Sequence, residues 1–373
     1  MSKITADTNI PIRNQFPNPK PELGGLGVYV AAATGTGAGI LTGSGIGGGI
    51  ETDGVVIGVC IPLFLCYADK FTPHYLVYLM QHEHVRGADI IYRQRCQPYV
   101  SDYYSYVLSL IREVVPSSSM VTLEIPKINF MLRNPVRISI NYEHTLVQTG
   151  GRDSDNYPTG IISVINDRTQ KYLVRLVNHA YLEECDIVID YSIPNIFNIT
   201  SSRKFPKLAD SLVYIAPCLY PISWKLEGRT IDLLTTFLDL NVTRRKMFLE
   251  HCTNVSNCFD RNELCALYQR TKIIINVHQT DEHHTAEELR ILPALQNGVI
   301  VVSEQSPLVD MIPYGHLVIW VPYEKILETA KSVLASYEET HARIFTPRNM
   351  EILQSLHYSN LNRLRDKFSG NVK

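Results

Sequence analysis

The most regular pattern of apolar and polar positions lies in the second half of the chain. An apolar run at residues 273–277 predicts a buried strand, which a polar loop and an amphipathic helix over 286–296 follow. Gly298 closes that helix, and a second apolar run at 299–302 predicts the next strand. Together these elements make one βαβ unit of a parallel sheet. Ligands of such units bind at the carboxyl ends of the strands, beside helix N-termini. The polar loop falls there, so the pattern predicts a site for an anionic, polyhydroxylated ligand.

Similar alternation covers the rest of the chain from residue 55 onwards. Further strands are predicted at 55–60, 136–141, 186–190, 213–216, 230–238 and 318–321, and further helices at 103–115, 170–184, 242–251, 323–339 and 348–368. Alternation in both halves predicts an α/β fold with two Rossmann-like domains that face a cleft.

The length of 373 residues also favours two domains. We divide the chain into a leader with a glycine-rich segment (1–54), a first Rossmann-like domain (55–220), a second Rossmann-like domain (221–345) and a C-terminal helix (346–373).

Composition and charge narrow the class of protein. A net charge of -2 lacks the basic footprint of a nucleic-acid-binding protein. The first 21 residues are polar and proline-rich, so no secretory signal is expected. The eight cysteines include no CxxC pair, which favours reduced thiols in a cytoplasmic protein.

Residues 23–50 form a glycine-rich segment without any charged residue. Glycine recurs every four residues from Gly35 to Gly47, which is the small-xxx-small pattern of packed membrane helices. However, each glycine costs a helix in water about 1 kcal/mol, so we expect a flexible segment and no membrane span. A membrane or oligomer contact is the alternative. The letters from Gly43 to Gly48 also match GxGxxG, the dinucleotide fingerprint, but no clear strand precedes them.

The polar loop and the start of the following helix carry the first group of candidate site residues. Histidine and arginine can donate hydrogen bonds to phosphate, and glutamate can accept them from sugar hydroxyls. The residues in this group are His278, Thr280, His283, His284, Thr285, Glu287, Glu288 and Arg290. Thr285 and Glu288 also have the spacing of a capping box. A zinc site at the three histidines is a further alternative, although the spacing is not H-E-x-x-H.

The turn after the strand at 230–238 carries the second group, Asn241, Arg244 and Arg245. Arginine binds diphosphate through its forked donors, and the turn lies between a strand end and a helix start. A solvated basic helix face is the alternative.

A third group follows the strand at 136–141. Glu143 and His144 could together deprotonate an acceptor hydroxyl if they face the cleft. Further residues at a strand end that could line it are Asp190, Tyr191, Ser192, Pro194 and Asn195. For the Glu-His pair, exposed polar surface is the alternative.

The second half resembles a known family of enzymes. The string from Gly298 to Ser303, preceded by a polar loop and a helix, resembles the nucleotide-sugar-binding half of GT-B glycosyltransferases. Arg290 matches the arginine of the R-x-x-E-A-L-x-x-G pattern of spore-coat-type glycosyltransferases. The strings DIVIDYSIPNI, NVHQT, HHT, EELRILPAL, GVIVVSE and IPY resemble glycosyltransferases of large DNA viruses of algae and amoebae over residues 137–323.

The resemblance implies transfer of a sugar from a UDP- or GDP-linked donor to a hydroxyl of a glycan or glycoprotein. The donor would bind in the second domain and the acceptor in the first, without an obligatory metal or other cofactor. A viral protein would act in the host cytoplasm. Thr285 and Pro293 stand where retaining members of the fold carry two glutamates, so inversion and retention both stay open.

Three other functions fit parts of the same pattern. A nucleotide-sugar epimerase can have the same fold, and a non-catalytic scaffold of this fold could bind glycans or partner proteins. An NAD-dependent oxidoreductase would need the glycine-rich segment to be a fingerprint turn.

Overall fold

The computed structural model describes the chain from residue 56 to residue 371 with several gaps. The described ranges are 56–63, 78–93, 98–125, 135–148, 161–167, 170–237, 243–256, 258–278, 280, 282 and 284–371. The chain divides into two units, 1–50 and 51–373, and the described residues all belong to the second. The expectations for the glycine-rich segment, Asn241 and His283 therefore lie outside the described residues.

Strands and helices alternate through most of the described part. The strands are β1 (Val56–Leu63), β2 (Tyr78–Val85), β3 (Ala88–Arg93), β4 (Met120–Leu123), β5 (Val136–Asn141), β6 (Leu146–Gln148), β7 (Ile161–Asp167), β8 (Gln170–Val174), β9 (Ile187–Asp190), β10 (Leu212–Tyr214), β11 (Ile231–Thr235), β12 (Thr253–Asn254), β13 (Thr271–Asn276), β14 (Ile300–Glu304) and β15 (Ile319–Val321). The α-helices are α1 (Pro98–Val114), α2 (His179–Leu182), α3 (Ile193–Ser201), α4 (Pro206–Ala209), α5 (Thr243–Leu249), α6 (Arg261–Gln269), α7 (Glu288–Gln296), α8 (Ile326–Ala335), α9 (Tyr337–Ile344) and α10 (Pro347–Asn371). Short 3-10 helices cover Val309–Met311, Gly315–Leu317 and Tyr323–Lys325.

The first sheet has the strand order β1-β2-β3-β4-β5-β9-β10. Its first three strands pair antiparallel, and the strands from β3 to β10 pair parallel. Alternate residues of β9 face opposite sides of the sheet. Ile187 and Ile189 belong to the main core with α1, whereas Val188 packs with Ile199 of α3 and Leu208 of α4. Both faces are covered, and β9 therefore appears in the sequence as a continuous apolar run.

The second sheet is parallel throughout and has the order β12-β11-β13-β14-β15. Its central strands are apolar along their length, and Ile274 and Val301 are fully buried. The chain runs from β11 outward to β12 and then returns to β13 on the other side of β11. The strand order thus reverses between β11 and β13. In open parallel sheets, this reversal leaves a crevice at the carboxyl ends of the two strands.

A small antiparallel sheet, β6-β8-β7, is inserted in the chain between β5 and β9. The helix predicted over 170–184 is wrong for most of its length. Residues 170–174 form strand β8, and only the four residues of α2 are helical. Tyr172 and Val174 are both buried, so the local pattern has a period of two. Pairing with β6 and β7 decides the conformation, because strand formation depends on partners that are distant in sequence.

The helix predicted over 323–339 is divided into three shorter elements. A 3-10 helix precedes α8, and Ser336 separates α8 from α9 with φ -119° and ψ 39°. The other strand and helix predictions that lie within described residues agree with the structure in type, with ends that differ by a few residues.

The two large sheets share one hydrophobic core. The main cluster contains Ile189 of the first sheet and Ile274 of the second. The last helix, α10, packs against α1 and β10 of the first sheet. There the Asn360 side chain accepts a hydrogen bond from Ala216 N (2.9 Å) and donates one to Ala216 O (2.8 Å). The division into two separate domains with a cleft between them stays a prediction.

In the described part of the chain, no helix combines the length and the apolar character that a bilayer crossing requires.

Candidate active site

The carboxyl ends of β11 and β13 bring the second group of candidate residues to the first group. Helix α5 begins at Thr243, just beyond β11, and places Arg244 and Arg245 in its first turn. The polar loop begins directly after β13 with His278. Both segments therefore lie at the reversal of strand order.

Arg244 holds the polar loop against the second sheet. Its guanidinium makes a two-pronged ion pair with Glu304 (Nη1 to Oε2 3.0 Å, Nη2 to Oε1 2.8 Å), and both side chains are about nine-tenths buried. Nη1 also donates to the carbonyl of Thr280 (3.2 Å), and the guanidinium lies 4.5 Å from the ring centre of Tyr323. Its forked donors are therefore committed to the protein, and a direct contact of Arg244 with a diphosphate stays a prediction.

Arg245 points to the other side of the same helix turn. It is 5% exposed and lies over the ring of Phe237, 4.8 Å from its centre. Its charge acts on Glu287 of the polar loop, whose pKa it helps to lower.

His278 is buried at the start of the polar loop. Its backbone N–H donates to Glu304 (3.0 Å), and its Nε2 lies 3.0 Å from the Ser306 hydroxyl. The other ring nitrogen, Nδ1, is buried and has no hydrogen-bond partner among the described residues. A buried polar atom of this kind costs free energy unless a ligand or a water satisfies it.

Arg290 closes the loop from the first turn of α7. Its Nη1 donates to Asn276 Oδ1 at the end of β13 (2.6 Å) and forms an ion pair with Glu287. Asn276 in turn donates to the Ser303 hydroxyl at the end of β14 (3.0 Å). Polar residues at the ends of β13 and β14 thus fix the arginine.

Glu287 lies among basic groups that come from three segments. Burial alone would raise its pKa, but the charges of Arg290, His144, His278 and Arg245 outweigh burial and lower it. His144 comes from the end of β5 in the first sheet, so this cluster draws on both sheets. Its basic groups are those that would hold an anion.

The segment from Glu282 to Thr285 is hydrogen-bonded to β6 of the small sheet. Gln148 N donates to Glu282 O (2.8 Å), and His284 N donates to Leu146 O (3.1 Å). These two backbone hydrogen bonds have the alternation of an antiparallel pair, and they join the polar loop to the edge of the small sheet. The His284 ring packs edge-on against Tyr172 of β8, with centres 5.0 Å apart.

The predicted capping box is wrong. The Thr285 hydroxyl accepts a hydrogen bond from Leu146 N (3.1 Å), and α7 begins at Glu288 without a side-chain cap. Glu288 instead accepts a hydrogen bond from the Tyr314 hydroxyl (2.6 Å) and is fully buried. Burial raises its pKa to about 8, although side-chain hydrogen bonds with Ser192 and Tyr314 act to lower the pKa. Glu288 is thus part of the interior, and a contact of its carboxylate with the donor sugar stays a prediction.

Glu143 supports the backbone near α2. Its Oε2 accepts from Val177 N (2.8 Å) and its Oε1 accepts from Asn178 N (3.0 Å). Each oxygen keeps a second lone pair, so the two backbone bonds fix the orientation of the Glu143 carboxylate. His144, the next residue, lies within the electrostatic reach of Glu287. That either residue of the pair acts as the base stays a prediction.

Some residues of the site carried no motif that singled them out. Each is a hydrogen-bond partner of a predicted site residue: Asn276 accepts from Arg290, Glu304 accepts from Arg244, and Tyr314 donates to Glu288. For Asn276 and Glu304 a signal was present, since each is the polar last residue of an apolar parallel strand. Tyr314 lies in an irregular segment and had no such signal.

Among the described residues, no group of three or more histidine, cysteine, aspartate or glutamate side chains lies close enough to hold a metal ion. The zinc alternative also involves His283, which lies outside the described residues.

Comparison with known proteins adds a viral relative. No family model matches the chain. A stretch of 166 residues is 28% identical to an uncharacterized protein of Acanthamoeba polyphaga mimivirus, covering 42% of this chain and 56% of that protein. The chain thus spans little more than half the length of the curated relative it matches. The expected similarity to a protein of a large DNA virus is confirmed, and that to spore-coat-type enzymes stays a prediction.

Solved structures with a partial likeness are TarM and TagF. TarM gives a TM-score of 0.39 at 11% identity, covering 72% of this chain and 58% of that chain. S. aureus TarM in complex with fondaparinux, α-GlcNAc-glycerol and UDP gives 0.39 at 10% identity over the same shares. The wall teichoic acid polymerase TagF gives 0.30 at 9% identity, covering 73% and 77%. The activity of this chain has to be inferred from its own residues.

Proposed function

We propose that the protein is a glycosyltransferase that moves a sugar from a nucleotide-diphosphate donor to a hydroxyl acceptor. The observation that carries the proposal is the basic cluster around Glu287, in which Arg290 pairs with Glu287 and donates to Asn276, while Arg245, His144 and His278 act on Glu287 through their charges. It lies at the carboxyl ends of β11 and β13, where a parallel sheet of this strand order binds nucleotides.

The chemistry of the cluster suits a diphosphate with a sugar attached. Arg245 and Arg290 carry permanent positive charge in a largely buried setting, where charge stabilisation is strongest. Glu287 and the unpartnered Nδ1 of His278 can pair with sugar hydroxyls. Thr280 and His284 complete the proposed donor site, with Thr285 holding the loop in place.

The proposed reaction is substitution at the anomeric carbon of the donor sugar. The acceptor oxygen forms a bond to that carbon while the bond from the carbon to the diphosphate oxygen breaks. In an inverting reaction His144 takes the proton of the acceptor hydroxyl. The arginines stabilise the negative charge that develops on the leaving diphosphate, which is usually the largest catalytic contribution. A glycan or glycoprotein is the proposed acceptor, and the described cysteines, which are free thiols, are consistent with a reaction in the cytoplasm.

The first experiment is a thermal-shift and calorimetry screen of the full chain with UDP, GDP, UDP-glucose and GDP-mannose. A ligand that binds the folded state alone raises the melting temperature. We expect either the two uridine nucleotides or the two guanosine nucleotides to bind, and we expect the corresponding nucleotide sugar to be slowly hydrolysed. An epimerised sugar without acceptor would indicate the epimerase, and a shift with NADH alone would indicate the oxidoreductase. Binding of none of these nucleotides would contradict the proposal.

Arg290→Ala tests the cluster directly. The variant loses the ion pair to Glu287 and the hydrogen bond to Asn276, and we expect its affinity for the diphosphate to fall about 10- to 100-fold, as for a lost charged hydrogen bond. The matched control is Arg348→Ala, which removes an exposed arginine of α10. Calorimetry with wild-type affinity in Arg290→Ala would remove this arginine from the donor site.

A further inference from the structure

Glu143 and Thr145, the neighbours of His144 in the chain, are both hydrogen-bonded to the side chain of Asn195. Asn195, in the first turn of α3, is fully buried. Its Nδ2 donates to the carbonyl of Glu143 (3.0 Å). Its Oδ1 accepts from the backbone N–H of Thr145 (3.3 Å) and from the Thr145 hydroxyl (2.7 Å). Asn195 therefore fixes the backbone on both sides of His144.

The orientation of the Asn195 amide is determined by its neighbours. Nδ2 also donates to Asp190 Oδ1 (3.2 Å), so its two bonds go to acceptors, whereas Oδ1 faces two donors. A flipped amide would oppose the bonds to Glu143 O, Asp190 Oδ1 and Thr145 N, whose partners each have a fixed role. Asp190 is itself held by Asn141 Nδ2 (2.7 Å) and by Ser192 N (2.8 Å). The ends of β5 and β9 thus form one buried network beneath the His144 segment.

The same segment continues directly into the contact with the polar loop. One residue beyond Thr145, Leu146 donates to Thr285 and accepts from His284. A segment fixed at Glu143, Thr145 and Leu146 leaves the His144 backbone little freedom relative to Glu287. Small displacements of a reacting group cost large factors in rate, so such a restraint is functionally valuable.

We infer that Asn195 is a positioning residue, which holds the His144 imidazole at the basic cluster for proton transfer from the acceptor. The part of this inference that concerns catalysis rests on the proposed glycosyltransferase function. The part that concerns the His144 position does not.

The test compares Asn195→Ala with Asn198→Ala. Asn198 is a second fully buried amide of α3, and it donates to the Thr145 hydroxyl (3.2 Å) without bonding the backbone on either side of His144. The ring signals of His144 are assigned in a proton–carbon correlation spectrum by their loss in His144→Gln. We expect these signals to shift or broaden in Asn195→Ala and to stay at their wild-type positions in Asn198→Ala.

Kinetics give the second readout. With the nucleotide sugar that wild type hydrolyses, Asn195→Ala should lower kcat about 100-fold while the affinity for the nucleoside diphosphate stays within about threefold. Asn198→Ala should keep the wild-type kcat and the wild-type affinity for the nucleoside diphosphate. Unchanged His144 signals in Asn195→Ala, or equal changes in both variants, would overturn the positioning role. A normal kcat beside a strongly lowered kcat of His144→Gln would do the same.

Two further outcomes, a variant that does not fold and a wild-type protein that binds no nucleotide, are distinguished by additional measurements. If Asn195→Ala does not fold, Thr145→Val replaces it, since it removes only the hydroxyl bonds to Asn195 and Asn198. We expect a smaller shift of the His144 signals in the same direction, and wild-type signals would overturn the inference. If wild type binds neither UDP nor GDP, the proposed function fails, while the His144 spectrum still tests the restraint.

Discussion

Single charged residues of the site fall into two groups by what they contact. Arg244 and Glu304 pair with each other and stabilise the loop, whereas Glu287 pairs with Arg290 and also lies within the electrostatic reach of Arg245. Removing one partner of a buried ion pair costs about 3–5 kcal/mol, because the other charge is left unpaired. Substitutions at Arg244 therefore report on folding before they report on ligand binding.

Glu288 gives a pH-dependent prediction at the same scale. Burial raises its pKa to about 8 in the folded state, and burial also raises that of the nearby Asp190 to about 7. The stability contributed by protonated Glu288 is fully present below its unfolded-state pKa of 4.5, and it is lost as the pH rises through about 8. Glu288→Gln mimics the protonated acid at every pH, and its carbonyl oxygen can still accept from Tyr314.

We therefore expect Glu288→Gln to melt several degrees above wild type at pH 8.5 and close to wild type at pH 5, since each pKa unit corresponds to about 1.4 kcal/mol. Differential scanning calorimetry of both proteins across this range measures the difference, in which the other titrating groups cancel. A difference that is constant with pH would mean that Glu288 is ionised in the folded protein at neutral pH.

At the scale of elements, the small sheet is what connects the polar loop to the first sheet. Glu282, His284 and Thr285 are joined to β6 by two backbone hydrogen bonds and by the Thr285 hydroxyl. So few bonds permit local opening at a cost well below that of global unfolding. The position of His278 and Glu287 relative to His144 thus depends on an edge pairing.

Gln148→Pro tests this pairing. Proline removes the N–H that donates to Glu282, whereas the control Gln148→Ala keeps it and loses only the side chain. We expect faster amide hydrogen exchange in residues 278–287 and a severalfold weaker affinity for the diphosphate in the proline variant alone. Equal exchange in the two variants would show that the loop is held by other contacts.

At the scale of the whole molecule, α10 connects the end of the chain to the first sheet. Asn360 is fully buried and bonds both backbone groups of Ala216 and the hydroxyl of Tyr106. The shared hydrophobic cluster also extends through both large sheets. We therefore expect residues 51–373 to unfold in one cooperative transition.

Asn360→Leu tests that cooperativity. It leaves the N–H of Ala216 without a partner, while the Ala216 carbonyl still accepts from Cys218 N, and it should lower the unfolding free energy by about 1–3 kcal/mol. Trp224 and Trp320 are the two tryptophans of the chain, and both lie away from this contact, beside α7 and in β15. In a urea titration of Asn360→Leu, the midpoints followed by tryptophan fluorescence and by far-UV circular dichroism should fall together. Asn362→Leu, at an exposed position of α10, should change neither midpoint. An unchanged tryptophan midpoint would mean that the two halves unfold independently.

Much of the fold was predictable because burial imposes a local period. The runs that became β9, β13 and β14 are continuously apolar, since helices cover both faces of the sheets. Strand β8 was mistaken for a helix because its partners, β6 and β7, are separated from it in sequence or lie in weakly patterned segments. A strand is stabilised by neighbours that its own residues do not identify.

The sequence by itself determined the α/β class, the position of the polar loop after a strand and those of Arg245 and Arg290 at helix starts, because period and order along the chain are local properties. Only the tertiary structure decided what each charged side chain contacts. The hydrogen-bond partners come from other elements: Arg244 contacts Glu304, Glu143 contacts Val177 and Asn178, and the Thr285 hydroxyl contacts Leu146. A side chain's role depends on which donors and acceptors the folded backbone brings within about 3 Å of it, and that distance is a property of the whole fold.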